Sequence, residues 1–185
     1  MENNLFKVDD IEIKMPTQVL SDNVAKIAVI GVGGGGCNMI NHMIIEGTHK
    51  IDLIAANTDL QVLHISKAPK KIQLGLKLTK GLGAGMKPEV GRDAAVESFD
   101  DIKKSLDGAD IVFIAAGLGG GTGTGAAAII ANAAKDIGAL TVSVVTKPFT
   151  WEGKKRAGLA SLGLEELKKV SDSIIVIPND RLLEI

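Results

Sequence analysis

The sequence has no tyrosine, one tryptophan (Trp151), four phenylalanines and one cysteine (Cys37) among its 185 residues. With aromatics at 3%, the stacking platforms that hold single-stranded nucleic acid are missing. The core has to come from Val, Ile, Leu and Ala, which suits buried parallel strands covered by small-residue helices. A lone cysteine excludes an intramolecular disulfide and fits a reducing compartment. No stretch reaches the roughly 18 consecutive apolar residues of a spanning helix, and the opening "MENNLFKVDDIEIK" is too acidic for a signal peptide. A net charge of −1 gives no general attraction to nucleic acid or to anionic membrane. There is also no G-x-x-x-x-G-K-[ST], hence no Walker lysine to reach a phosphate. These absences predict a cytoplasmic protein with no nucleic-acid partner and no direct membrane insertion.

What is present is 45% hydrophobic residues and 22 glycines, enough apolar matter for one domain with a sizeable core. Residues 1–22 show no sustained period and are expected to form a mobile extension. From residue 23 onward the pattern becomes regular and predicts a single domain. Strands are expected at "KIAVIG", "IDLIAANTD", "KKIQLG", "ADIVFIAAG", "ALTVSVVTKPF" and "SDSIIVIPND". Helices are expected at "CNMINHMIIEG", from Pro88 to about Leu106, at "GAAAIIANAAKDIG" and at "EGKKRAGLASLGLEELKKV". Alternating strands and helices predict an α/β fold, a Rossmann-like three-layer domain with a mainly parallel sheet and helices on both faces. "NDRLLEI" reads as the start of an amphipathic helix. The expectation is therefore an N-terminal part of something larger.

Two glycine-rich loops each follow a buried strand and open a helix. The first satisfies G-x-G-x-x-G at Gly31, Gly33 and Gly36, so its backbone N–H groups and helix dipole can form an anion site. The same glycines also permit tight strand–helix packing. The second, "GGGTGTG" from Gly119 to Gly125, would sit at a neighbouring strand's carboxyl end and face the same crevice. Two adjacent anion sites suit a di- or triphosphate. Thr122 and Thr124 could bond phosphate oxygens or a magnesium-bound water, or cap the helix. Without a Walker lysine, charge would be balanced by amides, helix dipoles and Mg²⁺.

"GGGTGTG" after an apolar strand resembles the signature loop of the tubulin/FtsZ superfamily. "GGGGCN", "AANTD", "GLGAGMKPEVG", "KPFTWEGKKR" and "IPNDRLLEI" extend the resemblance over residues 26–185. The likeness is to the N-terminal, GTP-binding half of its bacterial cell-division branch. It implies that Gly34, Gly35, Gly36 and Asn38 cradle the α- and β-phosphates, with Cys37 contributing only its N–H. It implies that Gly121, Thr122 and Gly123 hold the β- and γ-phosphates. Asn57 to Asp59 and Gly83, Ala84 and Gly85 would lie beside the γ-phosphate. Glu152 would bind the ribose, Arg156 would sit near ribose and phosphate, and Asn179 would bond the guanine. By spacing alone, Glu152 and Arg156 are an i,i+4 ion pair and Asn179 a turn residue after Pro178.

The resemblance further implies GTP or GDP as ligand with Mg²⁺, head-to-tail self-association and division-ring partners. Hydrolysis would be completed by an acidic loop from a neighbouring subunit, so no catalytic residue and no protein metal site is expected within these 185 residues. His42, His49 and His64 lack metal-ligand spacing and read as surface or helix-packing residues. The competing reading is the NAD-binding domain of an oxidoreductase, with Asp59 on the ribose. That reading leaves "GGGTGTG" without a role.

Overall fold

The computed structural model describes residues 7–8, 11–12, 24–48 and 50–183. The rest of the expected N-terminal extension, His49 and the last two residues lie outside them. Strands β1 (Lys7–Val8) and β2 (Ile11–Glu12) pair antiparallel near the N-terminus. The domain then runs β3 (Ile27–Val32), α1 (Gly33–Ile45), β4 (Ile51–Asn57), α2 (Leu60–Ile65), β5 (Lys70–Gln73) and α3 (Leu76–Thr79). It continues with α4 (Pro88–Glu97), α5 (Phe99–Leu106), β6 (Ile111–Gly117), α6 (Thr122–Asp136), β7 (Leu140–Lys147), α7 (Lys154–Val170) and β8 (Ser173–Pro178). Short 3₁₀ turns cover Thr150–Glu152 and Asn179–Leu183.

Strands β3 to β8 form one six-stranded sheet in the order β5-β4-β3-β6-β7-β8, every pair parallel. The expected α/β architecture is therefore observed. The strand order reverses direction between β3 and β6, the place where open α/β sheets leave a crevice at their carboxyl ends. Val32 pairs with Ala116, so the two glycine loops leave the sheet at the same level.

Both faces of the sheet are covered, which is why the strands read as continuous apolar runs. Ala28, Ile30 and Val32 of β3 pack with Val112, Ile114 and Ala116 of β6 under α4, α5, α6 and α7. Val29 faces the other way, toward Cys37 and Ile40 of α1 and Leu63 of α2. The largest fully buried side chains are Ile, Leu and Val, as the shortage of aromatics required. Helix α6 presents Ala126, Ala127, Ala131, Ala133 and Ala134 to its surroundings, all buried. Small side chains let it sit close between sheet, α4 and α7.

Several local expectations are corrected. The helix expected from Pro88 to Leu106 is bent at Ser98, whose φ and ψ are −98° and 15°. The backbone ladder continues across the bend, with Ser98 N–H donating to Ala94 and Ile102 N–H to Ser98. Meanwhile the Ser98 hydroxyl accepts from Gly75 N–H at 2.9 Å and donates to the Gln73 carbonyl at 3.4 Å. The pull on Ser98 comes from a loop far away in sequence. Helices α1 and α6 begin at Gly33 and Thr122, inside the glycine clusters rather than after them. The short helices α2 and α3 occupy stretches where no helix was expected. The stretch after Pro178 is a 3₁₀ turn rather than an amphipathic helix.

Candidate functional site

The two loops meet at the centre of the sheet. Gly33 turns the chain with φ +70°, and a methyl there would lie 2.9 Å from the backbone nitrogen of Gly123. A methyl at Gly35 would come within 3.3 Å of Gly117. Helix α1 starts after Val32 and α6 after Gly121, and neither start is capped by a side chain. Two helix N-termini, each a source of free amides and positive dipole charge, therefore adjoin one space.

That space is a cleft of about 350 Å³. Gly34, Gly35, Gly121, Thr122 and Gly123 form its floor, and Glu152, Arg156 and Asn179 stand on its wall. Arg156 Nη1 donates to Glu152 Oε2 at 3.0 Å, and Phe149 N–H donates to Glu152 Oε1 at the same distance. The 3₁₀ turn that carries Glu152 is tied to the one that carries Asn179. Thr150 donates its N–H to Asp180 Oδ1 at 3.0 Å and its hydroxyl to Oδ2 at 2.6 Å. The hydroxyl bond, then the amide bond, holds the Asp180 carboxyl below the usual carboxylate range. This clasp links the segments that follow β7 and β8, and Trp151 stacks on Phe149 beside it with ring centroids 5.1 Å apart.

Of the residues singled out from the sequence, Gly34, Gly35, Gly85, Gly121, Thr122, Gly123, Glu152, Arg156 and Asn179 line this cleft. Gly36, Cys37, Asn38, Asn57, Asp59, Gly83 and Ala84 do not. Gly36 is pressed against the sheet, where a methyl would strike the Ala115 carbonyl. Cys37 points inward to the Gly31 and Ala56 carbonyls, and burial raises its thiol pKa to about 11. Asn57 is buried, with its amide nitrogen 3.9 Å from the Cys37 sulfur. Its Oδ1 accepts from Asp59 N–H. Asp59 Oδ1 accepts from the N–H groups of Gln61 and Val62 and so caps α2. Ala84 is buried, and Gly83 N–H donates to the Thr58 carbonyl at 3.2 Å.

Thr124 makes no capping bond. Its hydroxyl accepts from Gly119 N–H at 2.9 Å, closing the loop rather than capping the helix. His42 and His64 are exposed. Gly117, Leu118 and Thr146, which the sequence pattern did not single out, also line the cleft, as do Gly120 and Pro148, which lay within quoted motifs without a role of their own. Thr146 and Pro148 sit at the carboxyl end of β7, so the crevice rule applied to a third strand would have found them. Thr58 lay within a quoted motif without a role for its hydroxyl, which is paired with that of Thr122.

The GTPase-domain model of the tubulin/FtsZ family matches residues 26–185. An empty FtsZ dimer from M. jannaschii is 52% identical, with a TM-score of 0.86 over 89% of this chain and 48% of that one. CetZ1 from Haloferax volcanii, solved as a GDP-bound monomer, is 26% identical, with a TM-score of 0.77 over 84% of this chain and 51% of its own. CetZ2 from the same organism, solved as a GTPγS-bound protofilament, is 25% identical, with a TM-score of 0.77 over 84% and 49%. The chain thus spans about half the length of the structures it matches. With the family model extending from β3 to the end of the chain over a parallel sheet split at two glycine loops, the chain belongs to the tubulin/FtsZ family.

Proposed function

We propose that residues 23–185 form a guanine-nucleotide-binding domain and that the intact protein is a self-assembling, tubulin-like GTPase. The carrying observation is the single cleft into which two uncapped helix N-termini and the Glu152–Arg156–Asn179 wall converge. The cleft-lining Gly34 and Gly35 on one side and Gly121, Thr122 and Gly123 on the other take the phosphates, with the amides of Gly36, Cys37 and Asn38 behind them in α1 adding to the positive end of that helix. Gly83 to Gly85 and Asn57 to Asp59 approach the terminal phosphate. Glu152 takes the ribose hydroxyls, Arg156 the ribose–phosphate junction and Asn179 the base. Backbone amides and helix dipoles take the place of a Walker lysine.

Mg²⁺ fits this scheme as a passenger of the nucleotide. Among the described residues no cluster of three or more His, Cys, Asp or Glu is built to hold a metal. The ion would take most of its oxygen ligands from phosphates and water, with the Thr122 hydroxyl at hand. It would neutralise phosphate charge.

The nucleotide pocket needs a partner for chemistry. Glu152 is the one carboxylate on the cleft wall among the described residues, and it is occupied by Arg156 and the Phe149 amide. In this reading its remaining lone pairs go to the ribose hydroxyls, which leaves no carboxylate of the described cleft for an attacking water. Hydrolysis then requires an acidic loop from the next subunit, in a head-to-tail filament of cytoplasmic protein at the division site with other ring components. The M. jannaschii dimer and the CetZ2 protofilament support assembly as the family's mode. The 185-residue chain alone should bind GTP and hydrolyse almost none of it. Robust turnover by dilute pure chain would overturn the requirement for a neighbour.

The NAD reading is disfavoured by Asp59, whose carboxylate caps α2 and is not on the cleft wall. A thermal-shift panel separates the readings. GDP or GTP at about 100 times Kd should stabilise the chain by about 2.7 kcal/mol, roughly 5–10 °C in Tm, with ADP and NAD far behind. Stabilisation by NAD without a response to guanine nucleotides would refute the proposal.

A further inference from the structure

Thr58 follows β4 and is fully buried, yet its hydroxyl oxygen lies 2.6 Å from that of Thr122. Thr122 lines the cleft at the head of α6 and is 9% exposed. The Thr58 carbonyl accepts from the Gly83 N–H at 3.2 Å, which fixes Thr58 in place. A hydroxyl carries one proton. If Thr122 donates to Thr58, it offers the cleft only lone pairs, which repel an anion. If Thr58 donates to Thr122, the Thr122 proton is free to point into the cleft.

We propose that Thr58 is a positioning residue of the phosphate site, donating its hydroxyl proton to Thr122 Oγ1 so that Thr122 donates to a terminal phosphate. The inference deepens the nucleotide reading and rests on it. Each bond polarises the next, so the outer, charge-assisted bond gains from the inner one. The relay runs from the cleft through Thr122 to Thr58, and from its carbonyl to the Gly83 turn, without any charged side chain. A purely structural staple between the same two hydroxyls would alter stability and leave affinity alone.

Titration calorimetry with GDP and GTP tests the relay on the wild-type chain, Thr58→Val, Thr58→Ser, Thr122→Val and the Val/Val double variant. Thr58→Val should weaken binding about five- to tenfold, and Thr58→Ser should restore it to within about twofold. The double variant should bind no more weakly than Thr122→Val alone, since the relay acts only through that hydroxyl. If Thr58→Val loses the wild-type circular dichroism spectrum, Thr58→Ala carries the same test with less crowding. Wild-type affinity in a folded Thr58→Val or Thr58→Ala chain overturns the proposal. So do losses that multiply in the double variant. Failure of the wild-type chain to bind either nucleotide overturns the nucleotide reading and this inference with it, and is visible before any variant is made.

Discussion

In the first glycine loop, a methyl added at Gly34 would meet nothing within 4 Å. In the second, a methyl at Gly121 would sit 2.6 Å from the Gly85 carbonyl oxygen, one at Gly123 would strike the Gly117 carbonyl, and one at Gly125 would strike that of Pro88. Gly120 is the open position there. The two loops share a composition and differ in what their glycines face. The first is open at Gly34, while Gly31, Gly33 and Gly36 press on α1, on Gly123 and on the Ala115 carbonyl of the sheet. The second is mostly walled in by its own fold, by α4 and by the Gly83–Gly85 turn, and shows the cleft a narrow strip. Reciprocally, Gly91 of α4 faces the Gly121 carbonyl, so α4 and α6 touch backbone to backbone. Glycine density reports close approach, and the approaching group is as often protein as ligand.

The largest expected effect follows from that contrast. Gly125→Ala must push α4 away from α6, because the obstacle is backbone on both sides. It should cost at least about 1–3 kcal/mol and lower Tm by several degrees with or without nucleotide. Gly34→Ala should do the opposite. Gly34 lies in the first turn of α1, where alanine is the better helix former by up to about 1 kcal/mol. Fold stability should hold or rise while GDP affinity falls about tenfold, as a methyl lifts the phosphates off the amides. Calorimetry and thermal melts on the same two proteins decide the matter. A Gly34→Ala chain that binds GDP normally would show that the first loop is not a phosphate floor.

Cys37 sharpens the comparison within the first loop, between its cleft side and its sheet side. Its buried thiol, with a pKa raised to about 11, should be almost wholly protonated at about pH 8. Iodoacetamide should label the native chain at least about a hundredfold more slowly than the unfolded one. Rapid native labelling would place the sulfur on the cleft side and would break the division between the two sides.

The strands and their parallel order were legible because a strand buried on both faces is an uninterrupted apolar run, as in "IVFIAAG". The cleft's floor was legible because a glycine run between such a strand and a helix brings bare backbone to the sheet's carboxyl edge. What could not be read is set by distant neighbours. The bend at Ser98 depends on Gly75 and Gln73, the Thr58–Thr122 pair spans two loops, and the Thr124 hydroxyl serves Gly119 instead of its own helix. Polar side chains with several possible partners carry no such signal in sequence. Glu152 and Arg156 form the ion pair that spacing allows, with Arg156 partly exposed. Only their place on the cleft wall distinguishes them from an ordinary surface pair.

The smallest expected effect concerns the wall rather than the floor. Asp180 is a half-exposed carboxylate whose pKa is lowered, first by the Thr150 hydroxyl and then by the Thr150 amide. A depressed folded-state pKa means that the clasp contributes above the unfolded value, about 3.9 for aspartate, and is lost as pH falls through the folded one. The clasp itself should therefore hold from about pH 8 down to about pH 4 and loosen only in stronger acid. Trp151 is the one tryptophan, 75% exposed and stacked on Phe149 next to Thr150, so its fluorescence reports on this corner alone. Its emission should change in a step below about pH 4 in the wild-type chain. Asp180→Asn should abolish that step, since the amide has no charge to lose. A step centred near neutrality, or one that survives Asp180→Asn, would mean that another group holds the two 3₁₀ turns together.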